Sequence, residues 1–210
     1  MTGERRRSEG VVWEREALTR ERRFELLGRR GATVWFTGLP ASGKSTLAAG
    51  LTVRLVEAGV AAYRLDGDNL RHGLCGDLGF DVASREENVR RAAEVARLMA
   101  DAGTVVVVSL VSPYLQARAR ARDLHESDGL PFVEVWVSTP LEECERRDPK
   151  GLYARARRGE VQHMTGIDDV YEPPEHPEIE IARDENAVDG VERVIGALAQ
   201  RGVILPAVPS

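Results

Sequence analysis

The sequence predicts an α/β fold, a doubly wound parallel sheet with a lid segment. Short runs rich in β-branched residues alternate with helical runs along the 210 residues, which is the order that parallel sheets require. The first strong strand leads through a glycine-rich loop into a helix. Residues 148–177 contain several glycines and prolines, and a connection of this length is typical of an active-site lid or a disordered linker.

The glycine-rich loop fits the pattern G-x-x-x-x-G-K-[ST], whose backbone N–H groups wrap the phosphates of a nucleotide. The residues predicted to bind the nucleotide are Gly38, Leu39, Pro40, Ala41, Ser42, Gly43, Lys44, Ser45 and Thr46. A predicted strand over 32–37 precedes the loop and a predicted helix over 45–58 follows it, so the phosphates would meet a helix N-terminus. Lys44 would reach the β- and γ-phosphates, and the Ser45 hydroxyl would bind Mg²⁺.

Hydrophobic periodicity predicts the other elements. Further strands are predicted over 61–65, 104–110, 132–137 and 178–181. Further helices are predicted over 19–27, 84–102, 115–124, 141–147 and 187–201. The second of these should begin with a capping box formed by Ser84 and Glu87. We expect residues 1–10 to be a flexible tail and 11–205 to be one domain, with the apolar residues 11–13 docked on it.

The composition argues against a nucleic-acid-binding, membrane-spanning or secreted protein. The net charge is −5 and the pI is about 5.5, which argues against a dedicated nucleic-acid surface. The two cysteines, Cys75 and Cys144, fit a reducing compartment. No apolar run is long enough to span a bilayer, and the charged first residues do not resemble a secretory signal. We therefore expect a cytoplasmic protein that uses no membrane.

Two aspartates follow the second predicted strand. Asp66 and Asp68 are two residues apart, so in an extended chain both carboxylates would point toward one site. They could bind Mg²⁺ through water or accept a proton from the acceptor. The alternative is a turn with helix-capping aspartates.

Other side chains near the predicted strand ends suggest an anionic, ring-containing acceptor. Arg71, Arg85 and Lys150 could hold an anion, although single arginines are more often surface residues. Phe80 could stack on a flat ring or instead fill the core. Asn88 lies one helical turn after Arg85 and shares its face. The small size, the basic run in the lid and the absence of a nucleic-acid surface favour a small-molecule kinase over other P-loop proteins.

Several longer motifs resemble those of the adenylylsulfate kinase (APS kinase) family. They are WFTGLPASGKST, LDGDNLRHGL, DLGF followed by R-x-x-N-x-R-R, V-S-P-Y, RDPKGLYARAR-x-GE and TGIDDVYEPP, and they extend to about residue 177. The resemblance implies a P-loop kinase that transfers the γ-phosphate of ATP to the 3′-hydroxyl of adenosine 5′-phosphosulfate (APS), giving PAPS for sulfate assimilation. It also implies ATP and Mg²⁺ as cofactors, a homodimer and a possible sulfurylase partner.

The resemblance also implies a role for individual residues. Lys44, Asp66 and Ser112 would be catalytic, and Ser45 and Asp68 would bind the metal. The residues implied to bind the sulfated nucleotide are Asp66, Arg71, Phe80, Arg85, Asn88, Val111, Ser112, Lys150, Gly151, Leu152, Thr165, Gly166 and Ile167. Ser112 matches a serine often described as a phosphoserine intermediate. In-line transfer needs no such step, so Ser112 could instead only hold phosphate or acceptor.

The sequence departs from the family pattern at three positions. Met164 replaces a phenylalanine that would close the second face of the substrate adenine, Leu115 replaces an arginine and Ser138 replaces an aspartate. Three interpretations therefore remain open: an APS kinase, a kinase of the same fold with another small anionic acceptor, and a non-catalytic nucleotide-binding protein.

Overall fold

Eight helices and five strands occur in the part of the chain that the structure, a computed structural model, describes, namely residues 10, 12, 14 and 17–204. The helices are α1 (Arg20–Leu27), α2 (Lys44–Glu57), α3 (Gly67–Leu70), α4 (Val82–Asp101), α5 (Leu115–Glu126), α6 (Leu141–Arg147), α7 (Leu152–Arg157) and α8 (Ala187–Gln200). The strands are β1 (Ala32–Thr37), β2 (Ala62–Asp66), β3 (Val105–Ser109), β4 (Phe132–Val137) and β5 (Ile179–Ile181).

The five strands form one parallel sheet in the order β2-β3-β1-β4-β5. β1 lies at the centre and every one of its residues is buried, as expected of a strand covered on both faces. Because all strands are parallel, the loops that follow them meet at one edge of the sheet. The predicted doubly wound α/β fold is confirmed.

Alternate residues of β3 divide the core into two layers. Val105 and Val107 pack in a cluster that includes residues of α2 and α8. Val106 and Val108 pack in a second cluster that includes residues of α4 and α5. The sheet is therefore covered by helices on both faces, and its carboxyl edge is left for a ligand.

Two predictions of local structure are wrong. Helix α4 begins at Val82, and its N-cap is Asp81, whose carboxylate accepts hydrogen bonds from both the backbone N–H and the hydroxyl of Ser84. The predicted start at Ser84 is late because a carboxylate three residues earlier caps the helix instead. After β2 the chain is not extended, and the alternative of a helix-capping aspartate holds for Asp66, which caps the four-residue helix α3, while Asp68 lies within that helix.

The predicted lid is partly structured. It contains α7, and the isolated bridge between Thr165 and Asp169 closes a turn further along. The prediction of a flexible tail and a docked apolar patch falls mostly on residues 1–9, 11 and 13, which lie outside the described residues. Val12, which is described, is 88% exposed.

Candidate active site

The P-loop connects β1 to α2 and has a backbone that requires glycine at two places. A Cβ at Gly38 would lie 2.6 Å from the carbonyl oxygen of Val137, and the φ of Gly38 is 149°. Gly43 has a φ of 109° and occupies the N-cap position of α2, where it offers no side chain to the first amides of the helix. The N-terminus of α2 is thus open toward the loop, which is the arrangement that binds phosphate.

Neighbouring elements hold the loop in place. The Thr139 hydroxyl and the Arg147 guanidinium both donate to the carbonyl of Ser42, at 2.9 and 3.2 Å. The Tyr153 hydroxyl of α7 donates to the carbonyl of Pro40 at 3.0 Å. Thr46, the last residue of the motif, is already within α2.

Lys44 is buried beside the loop that it follows. Its ammonium donates to the Leu39 carbonyl at 2.6 Å and to the Ser42 hydroxyl at 3.3 Å. Burial lowers the pKa of Lys44 to about 8, against the opposing influence of Asp66 and Asp68, which raise it. The charge is therefore present at neutral pH but weakly solvated, so a phosphate would be a strong partner.

The Asp66 carboxylate lies at the meeting point of β2, β3 and the P-loop helix. Its Oδ2 accepts hydrogen bonds from the hydroxyls of Ser45, at 2.9 Å, and Ser109, at 2.8 Å. Burial raises the pKa of Asp66, but these two hydroxyls and the N–H of Asp68 outweigh it and hold the pKa below its usual range. Asp66 is consequently ionised at neutral pH.

The donor types around Asp66 fit a magnesium ion. Mg²⁺ usually takes one or two protein oxygens and fills the rest of its shell with water and substrate phosphates. The Ser45 hydroxyl and the Asp66 carboxylate supply such oxygens side by side. Asp68, which the resemblance assigns to the metal, is largely exposed and its carboxylate instead pairs with the ammonium of Lys150.

Ser112 follows β3 and is 4% exposed. Its φ is 40°, a strained value for a residue with a side chain. The hydroxyl accepts from the indole N–H of Trp35 at 3.1 Å and donates to the Thr37 hydroxyl at 3.1 Å. Neither neighbour is a base. The Thr37 hydroxyl also donates to the carbonyl of Val111, at 2.8 Å, so Val111 lies at the same corner.

On the acceptor side, Phe80 is 55% exposed and does not fill the core. The guanidinium carbons of Arg71 and Arg85 lie 4.2 and 5.7 Å from the centre of its ring. Arg85 also donates to the carbonyl of His163 and faces the Asp169 carboxylate at 3.4 Å, so it connects the start of α4 to the lid.

Two buried polar atoms of the predicted acceptor site have no hydrogen-bond partner within the described part of the chain. They are Asn88 Nδ2 on α4 and Thr165 Oγ1 in the lid. Buried groups of this kind are normally satisfied, and unpaired ones in native structures often mark a ligand site. Both residues are among those that the sequence assigns to the substrate.

The segment predicted to be a lid packs on the P-loop through apolar contacts. Met164 is 5% exposed and clusters with Cys144 and Tyr153. Leu39, Ala41, Leu152 and Ile167 pack against this cluster. Gly151 and Gly166 have positive φ values of 65° and 92°, and a Cβ on Gly166 would come within 3.0 Å of Leu39. Residues implied to contact the substrate are thus joined directly to the phosphate-binding loop.

The other two residues that depart from the family pattern, Leu115 and Ser138, each make a backbone hydrogen bond to another segment of the chain. The backbone N–H of Leu115, at the start of α5, donates to the Glu172 carboxylate at 2.6 Å. The N–H of Ser138 donates to the carbonyl of Ile181 at 3.0 Å, beside β5.

Several residues of the site were missed by the sequence analysis. Ser109 contacts Asp66 because the two residues are partners in the β2–β3 register. Thr37 contacts Ser112 because β1 and β3 are neighbours. The only signal in the sequence is that each is a hydroxyl at the end of a predicted strand, and the order of strands is needed to use it.

Comparisons with known proteins agree with the site. A model of the family described as adenylylsulphate kinase matches residues 30–182. The adenylyl-sulfate kinase of Vibrio vulnificus (strain YJ016) is 48% identical over 204 residues, which cover 95% of this chain and 96% of that protein. The structure of the Mycobacterium tuberculosis APS kinase CysC, in complex with AMPPNP and APS, is 52% identical with a TM-score of 0.79 and covers 81% of this chain and 98% of that one.

A fourth comparison concerns assembly. A hexameric APS kinase from Thiobacillus denitrificans is 31% identical with a TM-score of 0.63, and the match covers 84% of this chain and 30% of that one.

Within the described residues, no helix is both long and apolar enough to cross a membrane.

Proposed function

This chain belongs to the adenylylsulphate kinase family, and we propose that it transfers the γ-phosphate of ATP to the ribose 3′-hydroxyl of APS, giving PAPS and ADP. The observation that best supports the proposal is the extent of the family match. Residues 30–182 include the P-loop and every residue that we assign to the acceptor. The relative from M. tuberculosis, solved with an ATP analogue and APS together, supports both substrates.

The P-loop side would bind ATP and stabilise charge. Lys44 and the first amides of α2 would contact the β- and γ-phosphates, where negative charge shifts during transfer. A magnesium ion, when bound, would offset the negative charge of these phosphates, and Ser45 and Asp66 are the residues that we propose to hold it, directly or through water. The assignment of Asp68 to the metal stays a prediction, and its pairing with Lys150 argues for a role in closing the lid.

The acceptor side would hold the sulfated nucleotide. Phe80 presents an exposed ring on which the adenine would stack, and Arg71 and Arg85 would supply positive charge for the phosphosulfate. Asn88 and Thr165 carry the unpaired buried atoms that would receive polar groups of the substrate. Lys150, Gly151, Leu152, Gly166 and Ile167 would close over it from the lid.

We propose that Asp66 acts on the acceptor hydroxyl or the metal and that Ser112 forms no obligatory phosphoserine. An ionised Asp66 can accept a proton, whereas it cannot donate one. The hydroxyl of Ser112 is bonded to Trp35 and Thr37, which leaves it without an activating base. Its role is then to shape the corner between β1 and β3.

ATP consumption measured with and without APS separates the three interpretations of the sequence. For an APS kinase we expect ADP release that depends on APS. Consumption that APS does not stimulate, but another small anionic alcohol does, would favour the changed-acceptor kinase. Nucleotide binding without turnover under any of these conditions would favour the non-catalytic protein.

The homodimer, the sulfurylase partner and the cytoplasmic location remain predictions from the family resemblance. Light scattering during size-exclusion chromatography measures the mass of the assembly, and a hexamer like that of the T. denitrificans relative would replace the predicted dimer.

A further inference from the structure

Arg118 on α5 is a buried arginine whose guanidinium joins three separate segments of the chain. Its side chain is 2% exposed. Nε donates to the Glu134 carboxylate at 2.8 Å, Nη1 to the carbonyl of Ser112 at 2.7 Å and Nη2 to the carbonyl of Glu172 at 2.6 Å. The planar fork of an arginine aims a different nitrogen at each of the three acceptors, whereas a lysine has all of its donors on a single nitrogen.

Charge neutralisation alone does not explain this arrangement. Glu134 on β4 is also faced by Arg122, whose Nη2 lies 3.4 Å from its second oxygen. A second arginine is therefore available for the charge of Glu134. Of these two arginines, Arg118 is the one bonded to the carbonyls of Ser112 and Glu172. The carbonyl of Ser112 also accepts from the Thr37 hydroxyl, at 3.4 Å. The two carbonyl bonds are what distinguish Arg118 from its neighbour one turn along α5.

Other bonds join the same two segments, which we call the serine loop (residues 111–115) and the lid root (residues 169–172). The N–H of Glu172 donates to the carbonyl of Pro113 at 2.8 Å, and its carboxylate accepts from the N–H of Leu115 at 2.6 Å. The Tyr114 hydroxyl donates to the Asp169 carboxylate at 2.9 Å. The serine loop is thus bonded to both ends of the lid root, at Asp169 and at Glu172.

The lid root in turn positions the part of the lid that faces the acceptor. The N–H of Gly166 donates to the carbonyl of Asp169 at 2.7 Å, and Thr165 pairs with Asp169 in an isolated bridge. A displacement of the lid root would therefore displace Thr165 as well. On the other side, the Tyr171 hydroxyl lies 3.0 Å from the hydroxyl of Thr37, the last residue before the P-loop.

We propose that Arg118 is a positioning residue for phosphoryl transfer. It holds the lid root against the serine loop, and the position of the lid root in turn determines where Thr165–Ile167 contact the acceptor relative to the P-loop. The proposal rests on the proposed function, because it concerns the acceptor of that reaction. Arg118 touches neither substrate in this account. Its effect should appear in acceptor kinetics, since small displacements of a bound reactant reduce the rate strongly.

The test compares Arg118→Lys with the matched control Arg122→Lys. Each variant keeps a positive charge near Glu134, and only the first loses the two carbonyl bonds. We expect Arg118→Lys to raise the KM for APS and lower kcat, with kcat/KM for APS falling by about tenfold to a hundredfold. The KM for ATP should change by less than about twofold, since the P-loop is untouched. Arg122→Lys should leave both KM values within about twofold, whatever its melting temperature.

A second variant keeps the test valid if Arg118→Lys does not fold. Tyr171→Phe removes the hydroxyl that bonds the lid root to Thr37, without uncovering a buried charge, and we expect it to raise the KM for APS by a smaller factor. If Arg118→Lys and Arg122→Lys have the same APS kinetics, or if Arg118→Lys weakens ATP and APS equally, Arg118 is structural and the proposal is wrong.

Limited trypsin digestion gives a readout that does not need the reaction. The exposed Arg155 and Arg158 lie in the lid. If Arg118 anchors the lid, Arg118→Lys should be cleaved there several times faster than Arg122→Lys, and equal rates would overturn the anchoring role. A wild-type protein that fails to phosphorylate APS would refute the proposed function, and the digestion would still decide whether Arg118 holds the lid.

Discussion

Lys44 and Asp66 carry opposite charges in poorly hydrated positions at the carboxyl edge of the sheet. The ammonium of Lys44 is bonded to loop oxygens and destabilised by burial, whereas the carboxylate of Asp66 is stabilised by two hydroxyls. We therefore expect each charge to meet a different ligand: a phosphate for the lysine, and a metal or an acceptor proton for the aspartate.

The pH dependence of ATP binding should report the lowered pKa of Lys44. Its ammonium loses a proton as the pH rises through about 8, and bound phosphates favour the charged form. Affinity for a non-hydrolysable ATP analogue should be flat below pH 8 and should fall above it, by up to about tenfold per pH unit, with proton uptake on binding. Calorimetry at pH 7 and 9 in two buffers of different ionisation enthalpy measures both quantities.

Lys44→Met is the control for that experiment, because it should bind the analogue weakly and lose the pH dependence. The same pKa affects the free protein. Since the folded state binds fewer protons than the unfolded chain between pH values of about 8 and 10.5, the contribution of Lys44 to stability rises with pH over this interval. If the affinity of the wild-type protein for the ATP analogue is constant from pH 7 to 9, the lowered pKa assigned to Lys44 is wrong.

Ser112→Ala tests the role of the strained serine. We expect appreciable residual activity, because the hydroxyl is bonded to Trp35 and Thr37 and not to any base among the described residues. We also expect no labelling of wild-type Ser112 by ATP at the rate of turnover. Rapid-quench experiments with labelled ATP measure both. Formation and discharge of phospho-Ser112 as fast as turnover, together with an inactive alanine variant, would establish the covalent route.

Met164→Phe tests whether this position covers the second face of the adenine. A methionine keeps part of the stacking contact that a ring would make, so we expect phenylalanine to tighten APS binding about threefold to tenfold, or about 0.7–1.4 kcal/mol. A titration with APS in the presence of ADP and Mg²⁺ measures this, and ATP affinity should stay unchanged. Weaker APS binding with a lower melting temperature would mean that Met164 only fills the cluster with Cys144 and Tyr153.

At the scale of elements, the strand–loop–helix unit of β1, the P-loop and α2 was predictable because its signals are local. Its hydrophobic run, glycine positions and helix all lie within about thirty consecutive residues, as such a unit requires. The contact of Ser109 with Asp66 was not predictable, since it depends on β2 and β3 being neighbours. Helix α3 was anticipated only through the alternative of helix-capping aspartates, because four residues are too few to show a helical period.

The close approach of α4 to the start of β1 yields a prediction about stability. A Cβ at Gly31 would lie 2.0 Å from the carbonyl oxygen of Ala100, so Gly31→Ala must displace backbone. We expect it to lower the free energy of unfolding by about 1–3 kcal/mol. Gly196→Ala in α8 is the matched control: it meets nothing within 4 Å and should raise the free energy of unfolding by about 0.5–1 kcal/mol. Urea unfolding measures both, and equal effects would contradict this packing.

At the scale of the whole molecule, the sheet gathers residues from four strand ends, and the predicted lid would supply the rest of the proposed site. The fold class was predictable because alternation of strands and helices determines it, whereas the lid contacts were not, because they arise between segments far apart in sequence. Tyr153, for example, reaches the P-loop from α7 through one hydroxyl, and nothing in its local sequence indicates this.

The most direct measurement of the central claim is the fate of a radioactive γ-phosphate when the protein is incubated with labelled ATP, Mg²⁺ and APS. We predict that the label appears in PAPS, in amounts equal to the ADP formed, that a 3′-specific phosphatase releases it, and that Lys44→Ala reduces its transfer at least about a hundredfold. Label found in inorganic phosphate alone, or transfer that survives in Lys44→Ala, would contradict the account.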